Sequence, residues 1–185
     1  MSDTTITITD AGATSVTVTG PTTTVRTNQP TVPNPRYWGN LISTATQSNP
    51  VASAINLVTY SALEEGSGIT LTNSNRINVT NAGTYVLMIV SNVTKTDSGA
   101  DDVYFWLRKN AIDVANSTQR HRLDGNNAHQ LVVCQWTETV TAGQYLQVAW
   151  SSPDADLSFA YAAAGTLPTR PATPSVHAHI FQIGD

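Results

Sequence analysis

The sequence predicts an all-β, antiparallel sandwich or jelly roll behind an extended N-terminal arm. Three observations carry this. From Tyr37 onward, short segments of alternating apolar and polar residues recur at strand spacing, with Gly, Asn, Asp and Pro between them. No segment keeps a 3.6-residue apolar period over a dozen residues, so no amphipathic helix is expected. Residues 1–36 differ from the rest: Thr dominates them and they contain no aromatic residue.

The arm reads first. Ile6 and Ile8 alternate with Thr5, Thr7 and Thr9, and Val16 and Val18 alternate with Thr17 and Thr19. Asp10-Ala11-Gly12-Ala13 lies between the two runs, the pattern of a hairpin. Gly20-Pro21 ends the second run. Thr22–Pro35 then carries Val25 with Pro30, Pro33 and Pro35, which favours an extended, polyproline-like linker. Such an arm does not fold alone. Burying Ile6, Ile8, Val16 and Val18 gives roughly 1.5–3 kcal/mol each. Ordering about 15 residues of backbone costs roughly 1–2 kcal/mol each. Ile6, Ile8, Val16, Val18 and Val25 are therefore candidate docking residues, against a partner surface or the chain's own domain. Strand addition to an exposed sheet edge is one mode.

The expected strands of the domain, residues 37–185, follow in order. Trp38–Thr46 is the first, and Ile55–Tyr60 follows the Asn49-Pro50 break. Ile69–Leu71 and Arg76–Val79 flank Asn73-Ser74-Asn75, a turn favoured because Asn tolerates left-handed backbone. Thr84–Thr94 is apolar on both phases near its middle, so it belongs deep in the core. Val103–Arg108 alternates with aromatics. Gln130–Val140, Gln144–Trp150, Leu157–Ala162 and Val176–Ile183 complete the set. Eight or more strands at this spacing give a sandwich or jelly roll.

Composition excludes several function classes. Charged residues are only 12 % of the chain and the net charge is −4, the opposite of a basic nucleic-acid-binding surface. The run Val86–Val90 falls far short of the ~20 apolar residues of a membrane helix. The start Met-Ser-Asp-Thr-Thr lacks the basic and apolar regions of a signal peptide. Cys134 is the single cysteine, so no intrachain disulfide forms.

Four motifs together are more specific. Ala82–Val90 resembles a central strand of the tumour necrosis factor-like jelly roll, shared with complement globular heads, which carries a Gly-x-Tyr-x-aromatic pattern. Asp102–Asn110 resembles the next strand, which ends in an Asn-Gly turn; here Ala111 replaces the Gly. Thr141–Val148 resembles the start of a late strand, and Pro174–Ile183 the closing one. The resemblance covers residues 37–185. Trp106-Leu107-Arg108-Lys109-Asn110, the Val-x-x-Ala-Gly-x-Tyr run Val79–Tyr85 and the Pro-rich stretch before the last strand make it closer to jelly-roll domains of bacteriophage structural proteins than to animal cytokines. The resemblance implies a homotrimer about a threefold axis. The many aromatics suit subunit contacts as well as a core; Trp38, Val133, Trp136 and Phe181 are the candidate interface residues.

Catalytic, cofactor and metal sites are not expected. His177 and His179 are two apart on a strand and share a face, so threefold symmetry would gather six imidazoles if that face lined the axis. The alternative is an ordinary exposed or interfacial pair. His121 and His129 flank a polar loop with nothing tying them to that pair. Asp97, Asp101 and Asp102 offer calcium-type oxygen ligands, although their spacing is not that of a twelve-residue calcium loop, and a solvated turn is the competing reading. Glu64-Glu65 reads as a loop, because adjacent carboxylates on an extended chain point apart. Cys134 sits in an apolar strand and reads as a small buried side chain. Arg108, Lys109, Arg120 and Arg122, the one local basic concentration, could touch an acidic partner or glycan; with so few charges elsewhere, ordinary pairing with Asp101, Asp102, Asp113 and Asp124 is the favoured reading.

Two functions compete. One is a non-enzymatic virion structural protein on the head exterior, a trimeric capsid decoration (cement) protein whose arms dock on the major capsid protein or another virion protein. The other is a receptor-binding knob of a phage tail or head fibre, reading a host surface glycan or protein through loops 97–101, 123–128 and 166–174. Neither uses a cofactor, nucleic acid or membrane.

Overall fold

The computed structural model describes residues 36–184; the arm, residues 1–36, with Ile6, Ile8, Val16, Val18 and Val25, lies outside the described residues but for Arg36. The strands are, in order, β1 (Trp38–Ser43), β2 (Gln47–Ser48), β3 (Asn56–Leu57), β4 (Ala62–Ser67), β5 (Ile69–Thr72) and β6 (Arg76–Val79). Then come β7 (Gly83–Lys95), β8 (Ala100–Lys109), β9 (Ile112–Asp113), β10 (Gln119–Asp124) and β11 (His129–Val140). The chain ends with β12 (Tyr145–Ser151), β13 (Leu157–Phe159), β14 (Gly165–Thr166), β15 (Thr169–Arg170) and β16 (Val176–Gly184). No helix forms among the described residues.

Eight of these are the principal strands: β1, β6, β7, β8, β10, β11, β12 and β16. First pairs with last (β1 with β16), second with seventh (β6 with β12), third with sixth (β7 with β11) and fourth with fifth (β8 with β10), all antiparallel. That nesting is a long hairpin wrapped into two sheets, a jelly roll. The first sheet runs β4-β1-β16-β7, with β11 on the far side of β7; short β13 and β2 extend it beyond β16. The second runs β5-β6-β12-β8-β10, with β9 on β8 and β3 on β12. The pair β14–β15 forms a small hairpin by itself.

The core lies between the sheets. The first sheet contributes Leu41, Tyr85, Leu87, Ile89, Val132, Cys134, Trp136, Ala178 and Ile180; the second contributes Ile77, Val79, Val103, Phe105, Leu107, Leu123, Leu146, Val148 and Trp150. Phe159 joins two aromatics of the second sheet. Its ring is 5.5 Å from that of Phe105, stacked, and 4.2 Å from that of Trp150, tilted. As expected for Thr84–Thr94, β7 is central, flanked along its length by β11 and β16.

Two details explain motifs in the sequence. Gly83 opens β7 with φ +152°, and a Cβ there would lie 2.4 Å from Gln182 Nε2 and 2.6 Å from Gly184 O. Only glycine lets β16 close this tightly on β7. Lys109 and Ile112 pair across a two-residue turn in which Asn110 (φ 50°) and Ala111 (φ 64°) are both left-handed. A type I′ turn demands this, so Ala111 keeps the geometry of the missing Gly at a steric cost.

The structure corrects the strand reading in places. Glu64 and Glu65 lie within β4, an edge strand, not in a loop. Residues 119–124 form β10, whose charged Arg120, Arg122 and Asp124 face outward while His121 and Leu123 face in. Two other expected strands shrink, to Asn56–Leu57 and Leu157–Phe159.

Candidate functional site

The outer face of the first sheet is built by register. On this face Phe181 stands opposite Trp38 and Val86, and Val86 opposite Thr137. Next to that row, His179 stands opposite Asn40 and Met88, and Met88 opposite Gln135. In the third row His177 stands opposite Ile42 and Val90, and Val90 opposite Val133. Alternation along a strand fixes this: every residue named is two from the next, so all share the side away from the core. Along β1, β16, β7 and β11 no Asp, Glu, Lys or Arg occupies this side. Arg36 precedes Trp38 by two residues, Glu65 stands opposite Asn40 on β4, and His129 lies at the far end of β11; these form the rim.

The face is uncharged and open. Of the nine exposed large hydrophobic residues among those described, five belong to it: Trp38 (38 % exposed), Leu131 (60 %), Val133 (48 %), Phe181 (41 %) and Ile183 (43 %). Scattered exposed apolar side chains are ordinary, but a contiguous uncharged array marks an interaction surface. At its centre the His177 and His179 rings are near-parallel, 12° apart in plane and 6.3 Å between centroids. His179 Nδ1 donates to Asn40 Oδ1 at 2.9 Å.

Three of the four candidate interface residues, Trp38, Val133 and Phe181, lie together on this face. Trp136 does not. It is buried in the chain's own core and its indole N–H donates to Ser117 O at 2.6 Å. Val133 and Trp136 are three apart on one strand, and an odd spacing puts them on opposite sides.

Comparison with family models and with curated proteins gives no match. Solved structures do match. The crystal structure of murine APRIL at pH 8.5 superposes with a TM-score of 0.51, covering 80 % of this chain and 99 % of that one at 11 % identity. Murine APRIL at pH 5.0 covers the same shares with a TM-score of 0.44 at 10 % identity. The domain has the tumour necrosis factor-like jelly-roll fold. At such identity the likeness speaks for the fold alone.

The remaining candidate groups are settled locally. Asp97 and Asp101 do come together, joined by Asp154, but Lys95 pairs with the first two. The Lys95 side chain is fully buried; its ammonium donates to Gly99 O at 2.9 Å, pairs with Asp97 at 3.2 Å and bonds Asp101. Burial pulls this ammonium's pKa down, but the bonds to Asp101 and Asp97 outweigh it and leave the value raised. A lysine therefore supplies the cation that the calcium reading called for. Asp102, adjacent in sequence, faces the other side, near Tyr104 Oη and 4.0 Å from Arg120.

The basic residues are paired as well. Arg108 Nε lies 2.8 Å from Asp113 and Arg122 Nε 3.1 Å from Asp124, as expected, whereas Lys109 pairs with Glu138 on β11 of the other sheet rather than with an aspartate. Cys134 Sγ sits 3.4 Å from His121 Nε2 where β10 and β11 approach each other. Burial pushes the thiol up to about 12 and the imidazole down. At neutral pH the thiol therefore keeps its proton, and a neutral thiol is a poor nucleophile.

The loops that the sequence singled out meet at one end of the sandwich. Gly125 N donates to Gly99 O at 2.8 Å and Lys95 N to Ala128 O at 3.1 Å, tying loop 96–99 to loop 125–128. The segment after β13 joins the same end, where Asn92 N donates to Ser175 O. It projects the β14–β15 hairpin, with Leu167 at its tip 97 % exposed.

Proposed function

We propose that this chain is a non-enzymatic, homotrimeric virion structural protein, a capsid decoration protein whose arms dock on the shell. The observation that carries self-association is the uncharged outer face of the first sheet, with Trp38, Phe181, Ile183, Val133 and Leu131 open on it. Covering that face with further copies of the chain removes a large apolar area from water. The viral setting rests on the likeness of residues 37–185 to phage jelly-roll domains. The cement role rests on the sequence of the arm, whose apolar Thr-spaced runs bury too little surface to fold alone and suit docking on a partner. Three arms on one trimer raise one another's effective concentration, so weak single contacts suffice. Whatever binds only the assembled shell stabilises it by mass action.

A second reading, a receptor-binding knob, is favoured by one observation: three loop segments converge at one end of the sandwich, and one presents the exposed Leu167.

The test is copy number on purified particles with heads and tails separated. Decoration predicts hundreds of copies on heads, lost when residues 1–36 are deleted. A few dozen copies travelling with tails would favour the knob, and none on any particle would overturn the viral setting.

A further inference from the structure

The centre of the candidate interface holds two histidines, His177 and His179, with their rings side by side. We infer that self-association through this face is acid-sensitive, with His177 and His179 as the groups that release it; this rests on the self-association proposed above.

His177 is flanked by Ile42, Val90 and, one strand further, Val133; His179 is flanked by Asn40, Met88 and Gln135. No carboxylate faces either ring from β1, β7 or β11. The titratable or charged groups around the face are Glu65, beyond Asn40, Arg36 at the end of β1, and His129 opposite Thr94. His179 already spends Nδ1 on Asn40 Oδ1, so an added proton goes to its other ring nitrogen. Covered by another copy, that proton would be a charge buried without a counterion, which is strongly unfavourable. With ring centroids 6.3 Å apart, a second proton would add repulsion between like charges.

The sign follows from linkage. Separate protomers bind protons on these imidazoles more readily than assembled ones, so association weakens as pH falls through the imidazole range, between about pH 8 and 5. Excluding one proton per protomer lowers the trimer association constant as pH falls, and the half-association concentration rises by roughly 100-fold between pH 8 and pH 5.

Sedimentation equilibrium of the full chain at pH 8 and pH 5 tests this, beside the double variant His177→Gln/His179→Gln. The expected result is a large rise in the half-association concentration of the wild type at pH 5, and little change in the variant. Association of the wild type that is equally tight at both pH values overturns the inference while leaving self-association standing. A wild type monomeric at both values removes the parent reading instead. If the double variant fails to fold, the imidazole proton resonances of the wild type give the answer. Their midpoints must lie at lower pH in concentrated than in dilute protein, and coincident midpoints overturn the inference.

Discussion

Phe181→Asp is the sharpest perturbation of the outer face. Phe181 keeps 41 % of its surface exposed and sits between Trp38 and Val86. That fraction of an aromatic side chain of roughly 200 Å² is ~80 Å², or ~2 kcal/mol at 25 cal/mol per Å² if another copy covers it. Three protomers bring this to ~6 kcal/mol, a loss of about 10⁴ in the trimer association constant, and the buried carboxylate adds to it. The fold itself should lose less than about 1 kcal/mol, because the side chain points to solvent and gives up only cross-strand contacts. The assay is sedimentation velocity over a concentration series, with urea unfolding of the same samples. Ile112→Asp is the control: Ile112 is 73 % exposed, but on β9 of the other sheet, so its variant should associate as the wild type does. Equal association of Phe181→Asp and wild type would refute the placement of the interface on this face. Equal loss in Ile112→Asp would show a general effect of added charge.

Trp136→Ala should destabilise the domain by about 3–5 kcal/mol in urea unfolding, as a core cavity does, and its effect on association should only follow from that loss. Ala111→Gly should stabilise by about 1 kcal/mol, read as a higher urea midpoint, because glycine takes the left-handed turn position without the Cβ clash. His121 is held neutral by burial, so the unfolded chain takes up a proton below about pH 6.5 that the folded chain resists. Stability is thus full above that pH and falls below it; in the Phe181→Asp background the urea midpoint should drop between pH 7.5 and 5.5, and His121→Gln should flatten the drop.

Much of this was legible in the sequence because strands announce themselves by alternation. Thr84–Thr94, apolar on both phases, is the strand flanked on both sides, and the left-handed Asn73 and Ser74 turn where the composition placed it. β4 and β10 were not legible. Ala62–Ser67 carries two glutamates and a glycine, and its strand state comes from pairing with β1 rather than from its own propensity. Gln119–Asp124 alternates, but its inward residues are Gln119, His121 and Leu123, too polar a set to mark a core-facing strand. The candidate site was half legible. Two-residue spacing correctly joined His177 to His179, and the same rule, applied to Val133 and Trp136, would have separated them. The lysine paired with Asp97 and Asp101 was hidden because Lys95 ends an apolar strand, and nothing local says its ammonium turns back into the loop.

The central claim is that the uncharged face of the first sheet is covered by copies of the same chain. Sedimentation equilibrium of the full chain at micromolar concentration and pH 8 addresses it most directly. The expected species has three times 19.7 kDa, about 59 kDa. A single species of 19.7 kDa at that concentration would contradict it.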